Sequence, residues 1–123
     1  MAIRRDALDD LFSRYIRLKA DNHCEYCGEF RKIFELECSH FHSRRKWITR
    51  LDEENCVALC ATCHRFLGEH PNIHSDFFRK RLGSERFEQL NIRAQQVKKR
   101  LKWEYEELKA KYREKIKYLE KGE

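Results

Sequence analysis

Apolar positions along this chain fall into a short early stripe, a cysteine-rich centre of mixed period, and a long stripe toward the carboxyl end. Leu8, Leu11, Phe12, Tyr15 and Ile16 recur at the spacing of one helical face, which predicts a core-covering helix from about Asp6 to Lys19. Asp21-Asn22 ends it. From Lys32 to Cys38 partial alternation predicts a strand that delivers His40 at its end. Residues 41–52 follow neither period and read as a loop. A second short strand is expected near Cys56–Leu59, followed by a helix around Ala61–Leu67.

Gly68 and Pro71 break that helix, and a further one is predicted from Asn72 or Ile73 to Leu82, stopping at Gly83. Ser84 then suits an N-cap, with Glu85 in the first turn. Leu90, Ala94, Val97, Leu101, Tyr105, Leu108, Tyr112, Ile116 and Leu119 average close to 3.6 residues apart and predict one long amphipathic helix. At roughly 37 residues it would extend about 55 Å. A small core cannot cover that length, so the stripe predicts a homodimer through this helix, with a lone disordered distal end as the alternative. The spacing is not a strict heptad and does not suit a long supercoil.

The centre carries two Cys-x-x-Cys pairs, Cys24/Cys27 and Cys60/Cys63. Four thiolates at paired spacing can close a tetrahedral zinc site with no open position, which makes the expected zinc structural. The 32 residues between Cys27 and Cys60 exceed the roughly 15 to 20 of a plain two-knuckle ribbon, so the insert must hold something. Cys38 and Cys56 lie outside the pairs and read as small core residues, with Cys38 as a replacement ligand the alternative.

Charge narrows the partners. The net charge is +6, the isoelectric point about 9.1 and the mean hydropathy -0.90. Residues 31–50 and 98–123 are each net +4, whereas the first 30 residues carry five basic and six acidic side chains. A polyanion such as DNA is the expected partner, and a solvated basic face is the alternative reading. The amino terminus has no apolar signal region and no apolar run is long enough to span a bilayer, so a cytoplasmic protein with reduced thiols is expected. With four glycines there is no phosphate-cradling loop, and no Ser/His/Asp arrangement can be read. No small-molecule substrate is expected.

The residues around the second pair, Asn55-Cys-Val-Ala-Leu-Cys-Ala-Thr-Cys-His64, resemble the closing segment of the HNH (ββα-metal) endonuclease family, and Ser39-His40 falls where that family ends its first strand. More narrowly, Cys38-Ser39-His40, Arg44, Arg45, Asp52, Asn55, His64 and Gly68-Glu69-His70-Pro71 are similar to small phage nucleases of the NinG recombination type. The resemblance covers about residues 8–90. It implies an α+β fold: a zinc-stapled ββα core with its covering helix over residues 1–83, and the long basic helix over 84–123.

It also implies DNA phosphodiester hydrolysis in a bacterial or phage-infected cell. His40 would be the general base, Asn55 the residue that holds its loop, and His64 the ligand of a catalytic Mg2+ or Mn2+. Arg44, Arg45, Lys46 and Arg50 would contact phosphates. Where the family often has an Asp or His metal ligand before the base histidine, this chain has Ser39, a poor ligand for a hard cation. His42, Asp52, Glu69, His70 and His74 are the candidates to complete the shell. A catalytically inactive zinc module that binds DNA or protein is the alternative.

Overall fold

The structure is a computed structural model that describes residues 4–122. Helix α1 (Ala7–Lys19) starts on a reciprocal cap: the Asp6 carboxylate accepts the Asp9 amide at 2.9 Å, and the Asp9 carboxylate accepts the Asp6 amide at 3.0 Å. Leu8, Phe12, Tyr15 and Ile16 form its buried face. Asp21 and Asn22 follow it with φ of 54° and 60°, the left-handed region that Asn and Asp tolerate better than most residues. The first knuckle then turns at Gly28, whose φ is 78°, with the Gly28 amide donating to the Cys24 carbonyl at 2.8 Å.

Strand β1 (Leu36–His40) begins later than the pattern predicts, because Ile33–Glu35 form a 3-10 turn. It pairs antiparallel with β2 (Cys56–Cys60), with Leu36 opposite Cys60, Ser39 opposite Val57 and His40 opposite Cys56. All five β2 residues are buried, which explains why their sequence shows no alternation. The loop expected between the strands contains a single helical turn, α2 (Trp47–Arg50). Helix α3 (Ala61–Glu69) leaves β2 directly, and Pro71 opens α4 (Pro71–Leu82), where its missing N–H costs nothing.

The carboxyl-terminal stripe forms two helices, α5 (Ser84–Ala94) and α6 (Lys102–Lys121), rather than one of roughly 37 residues. Gly83, with φ of 84°, takes the N-cap position that Ser84 suits by composition. The two helices bury different surfaces: Phe87, Leu90 and Ala94 of α5, then Tyr112 and Ile116 of α6. The chain turns between them over residues 95–101, where Val97 of the stripe is exposed. Arg100 anchors the turn, reaching Asp6 at 2.6 Å and lying over the Trp47 and Tyr105 rings at 4.9 and 4.7 Å.

Helix α6 packs along α1, and Tyr112 meets Phe12 edge-on at 5.1 Å and Tyr15 at 5.4 Å. Its buried positions thus complete the core of their own chain. Apart from the exposed Val97, much of the stripe packs within its own chain, so its cover does not require the expected homodimer. Among the described residues no helix is long and apolar enough to cross a membrane.

Candidate active site and metal centre

Two features converge at the ββα unit. The first is the metal centre: the sulfur atoms of Cys24, Cys27, Cys60 and Cys63 all lie within 4.8 Å of one another. Cys60 ends β2 and Cys63 lies in the first turn of α3, while the turn at Gly28 brings the first pair against them. Burial resists ionisation of Cys24, but backbone amides of Cys27, Cys60 and Tyr26 directed at its sulfur outweigh this and lower the thiol to about 7. Burial and the neighbouring thiols push Cys63 the other way. Four sulfur donors in this geometry are the donor set of a closed structural zinc site.

The second feature is a cavity of about 620 Å³ along the open edge of β1, between α1 and α3. Its lining includes Arg5, Ser13 and Arg17 from the amino-terminal segment, Glu37, Cys38 and His40 from β1, Arg44 and Arg45 from the loop, and His64 from α3. His40 and His64 therefore share one cleft. Four arginines and one carboxylate line it; Arg5 and Arg44 also pair with Asp10 (3.0 Å) and Asp9 (3.3 Å), and the remaining basic excess suits a phosphate-bearing ligand.

His40 is half-buried, and its Nε2 lies 2.9 Å from the Arg50 carbonyl oxygen. A carbonyl only accepts, so Nε2 carries the proton and Nδ1 keeps the lone pair. Burial pulls this imidazole down to about 4; the Arg44 and Arg50 cations add to the effect, against the carbonyl bond and Asp9. The ring is neutral at physiological pH.

Asn55 holds the intervening loop. It is fully buried; its Nδ2 donates to the carbonyls of His42 (3.1 Å) and Thr49 (3.0 Å), and its Oδ1 accepts the His42 amide at 2.8 Å. Its own carbonyl accepts the Phe41 amide at 2.8 Å. Every polar group of this side chain is thus used to close the 41–49 segment behind His40.

Arg50, expected at phosphate, is instead inside the protein. It is 6% exposed, its Nε donates to Asp9 Oδ1 at 2.9 Å, and its second nitrogen also bonds that carboxylate. Burying an unpaired guanidinium would be costly, so Asp9 and Arg50 hold each other, and together they fix the carbonyl that receives His40. Lys46 is also engaged, donating to the Ala94 carbonyl at 3.0 Å. Arg44 and Arg45 do line the cleft. Trp47 lies beneath the Arg50 and Arg100 guanidinium groups.

The departure at Ser39 has a structural counterpart. Ser39 is 2% exposed and does not line the cavity. None of His42, Asp52, Glu69, His70 and His74 lines it either. His42 bonds Asn91 at 2.8 Å, Asp52 pairs with Arg93 at 2.9 Å, His70 bonds the Phe66 carbonyl at 2.7 Å, and His74 packs on Phe41 and Phe78.

The carboxylate that reaches the cleft is Glu37, which sequence reasoning missed. Its Oε1 lies 2.6 Å from His64 Nδ1. Glu37 shares strand parity with Ser39 rather than with His40, and α3 on that side brings His64 to it. The available signal was an acid inside an otherwise apolar strand pattern, one that no core position would accept.

The elements described, two antiparallel strands followed directly by a helix and stapled by four cysteines, define a ββα-metal unit. The profile of the HNH endonuclease family matches residues 24–69, from the first knuckle to the end of α3. This segment is similar to that family, and α1, α4, α5 and α6 lie outside the matched residues. No curated protein and no solved structure gives a significant match.

Proposed function

We propose that the chain is a metal-dependent endonuclease that hydrolyses DNA phosphodiester bonds in the cleft between α1 and α3. The observation that carries this reading is the convergence of His40, His64 and Glu37 with four arginines in one cavity. His40 is the base: its protonated Nε2 is held by the Arg50 carbonyl, and Nδ1 takes a proton from the attacking water. Asn55 keeps the loop behind it closed, so the ring need not reorganise during the reaction.

His64 and Glu37 form the side of the cleft that would hold Mg2+ or Mn2+, an imidazole and a hard oxygen donor already 2.6 Å apart. Such an ion supplies charge neutralisation at the phosphate and at the departing 3′ oxygen. Arg44 and Arg45, with Arg5 and Arg17, draw the backbone into the cleft; Arg17 is oriented by donating to the carbonyls of Ser13 and Ile33. The products would be 5′ phosphate and 3′ hydroxyl. The cysteine cluster would hold zinc as a staple and take no part in the reaction. On the NinG-type resemblance, branched recombination intermediates of phage DNA are the favoured substrates.

The test is cleavage of supercoiled plasmid and of a four-way junction with Mg2+, Mn2+ or EDTA, using the wild type and His40→Ala. Metal-dependent cutting by the wild type alone, with zinc content and circular dichroism unchanged in the variant, supports the reading. If both proteins bind DNA and neither cuts it with any ion, the chain is a DNA-binding module.

A further inference from the structure

Cys38 and Cys56 have no part in the four-cysteine cluster, yet they are not isolated core thiols. In the antiparallel register His40 stands opposite Cys56, and Cys38 lies two residues back along β1, so all three side chains leave the same face of the sheet. Their sulfur atoms and a ring nitrogen of His40 lie within 4.8 Å of one another. Cys38 and His40 line the cleft, and Cys56 is buried behind them.

We propose that Cys38, His40 and Cys56 form a second, separate metal site, selective for a thiophilic dication such as Zn2+. Two thiolates and an imidazole are three of the four donors of a tetrahedral site, and the cleft that Cys38 and His40 line supplies the entry path and a fourth, exchangeable ligand. Binding displaces the two thiol protons to solvent, and the resulting pair of negative charges neutralises the dication. Soft sulfur donors select Zn2+ over Mg2+, Mn2+ or Ca2+, which prefer oxygen. The site is thus chemically distinct from the Glu37 and His64 side of the same cleft. Occupancy draws on the ring that serves as base, so it switches cleavage off. This consequence rests on the nuclease reading; the binding itself does not.

The full chain, loaded at the four-cysteine cluster and kept under a phosphine reductant, is titrated with Co2+ as a spectroscopic stand-in for zinc, without DNA. The wild type is expected to take up a second equivalent, with added sulfur-to-cobalt charge-transfer absorbance. Cys38→Ser and His40→Gln are each expected to lose that equivalent while keeping the first and an unchanged far-ultraviolet spectrum. A wild type that takes up only one equivalent overturns the proposal, as does a second equivalent retained by either variant. In a parallel assay, Zn2+ is expected to inhibit Mg2+-dependent cutting by the wild type and to spare Cys38→Ser. If nothing cuts DNA with any ion, the nuclease reading falls and the stoichiometry still decides the site.

Discussion

Glu37 on β1 and His64 on α3 meet across the edge of the sheet, with Oε1 and Nδ1 2.6 Å apart. Neither residue is buried, so the contact is no requirement of the core. If the pair holds the catalytic ion, Glu37→Gln shifts the Mg2+ dependence of cleavage to at least about tenfold higher concentration, since even outer groups around a metal contribute 10- to 100-fold. Titration of cleavage against Mg2+ reads this directly. A Gln variant with the wild-type Mg2+ curve would remove Glu37 from the metal shell.

The acid limb of the pH–rate profile should lie low. Burial holds His40 at about 4, so its lone pair is available well below the range of an ordinary histidine. We expect log kcat/KM to stay level from pH 7 to about 5 and to fall toward pH 4. An acid limb near 6.5 would show that a solvated group limits the reaction. The same shift acts on stability. The folded state resists a proton that the unfolded chain accepts near 6.5, so this residue lowers stability as pH falls from about 6.5 to 4 and adds no further change below that.

The Asp9–Arg50 pair is a buried structural contact. Removing one partner strands a buried charge, and Asp9→Ala should cost about 3 to 5 kcal/mol in urea unfolding. Burial opposes ionisation of Asp9, but Arg50 and the Asp6 amide outweigh it and lower the carboxyl to about 2. Its contribution to stability is therefore full above about pH 4 and is lost as pH falls toward 2. Arg50→Met in the Asp9→Ala background should recover much of the loss. A single Asp9→Ala variant as stable as wild type would contradict the assignment.

The cysteine cluster should be a condition of folding. Cys60→Ser, or prolonged chelation of the wild type, is expected to abolish cooperative melting by circular dichroism, because metal binding supplies folding free energy in small metal-stapled domains. Unchanged melting after the metal is removed would assign the fold to its apolar core alone.

Helix α6 should prove integral to the unit rather than an appendage. Tyr112 is 1% exposed and packs against Phe12 and Tyr15, so Tyr112→Ala should destabilise the whole chain by about 3 to 5 kcal/mol in a single transition. Two transitions, with only the later one unchanged, would mean that α6 folds independently.

The sequence by itself determined the elements whose causes are local. The α1 stripe and the Asp6 cap, the paired cysteine spacing, the strand-to-helix passage at Cys60 and the end of α4 at Gly83 all follow from residues close in the chain. The positions of His40, Asn55 and His64 in the ββα unit were legible for the same reason, since the unit is short and its connections are direct. Tertiary structure alone decided what depended on direction. It split the carboxyl-terminal stripe in two, because a periodic pattern records that a face is apolar but not which surface will cover it, and α5 packs on α2 and α4 whereas α6 packs on α1. It took Arg50 inward, because basic residues adjacent in sequence diverge once a buried Asp9 competes for one of them. It also brought Glu37, and none of the five candidates read from the sequence, to the cleft, because reaching a cleft depends on strand parity and on the helix packed beyond it, and neither is recorded in residue type.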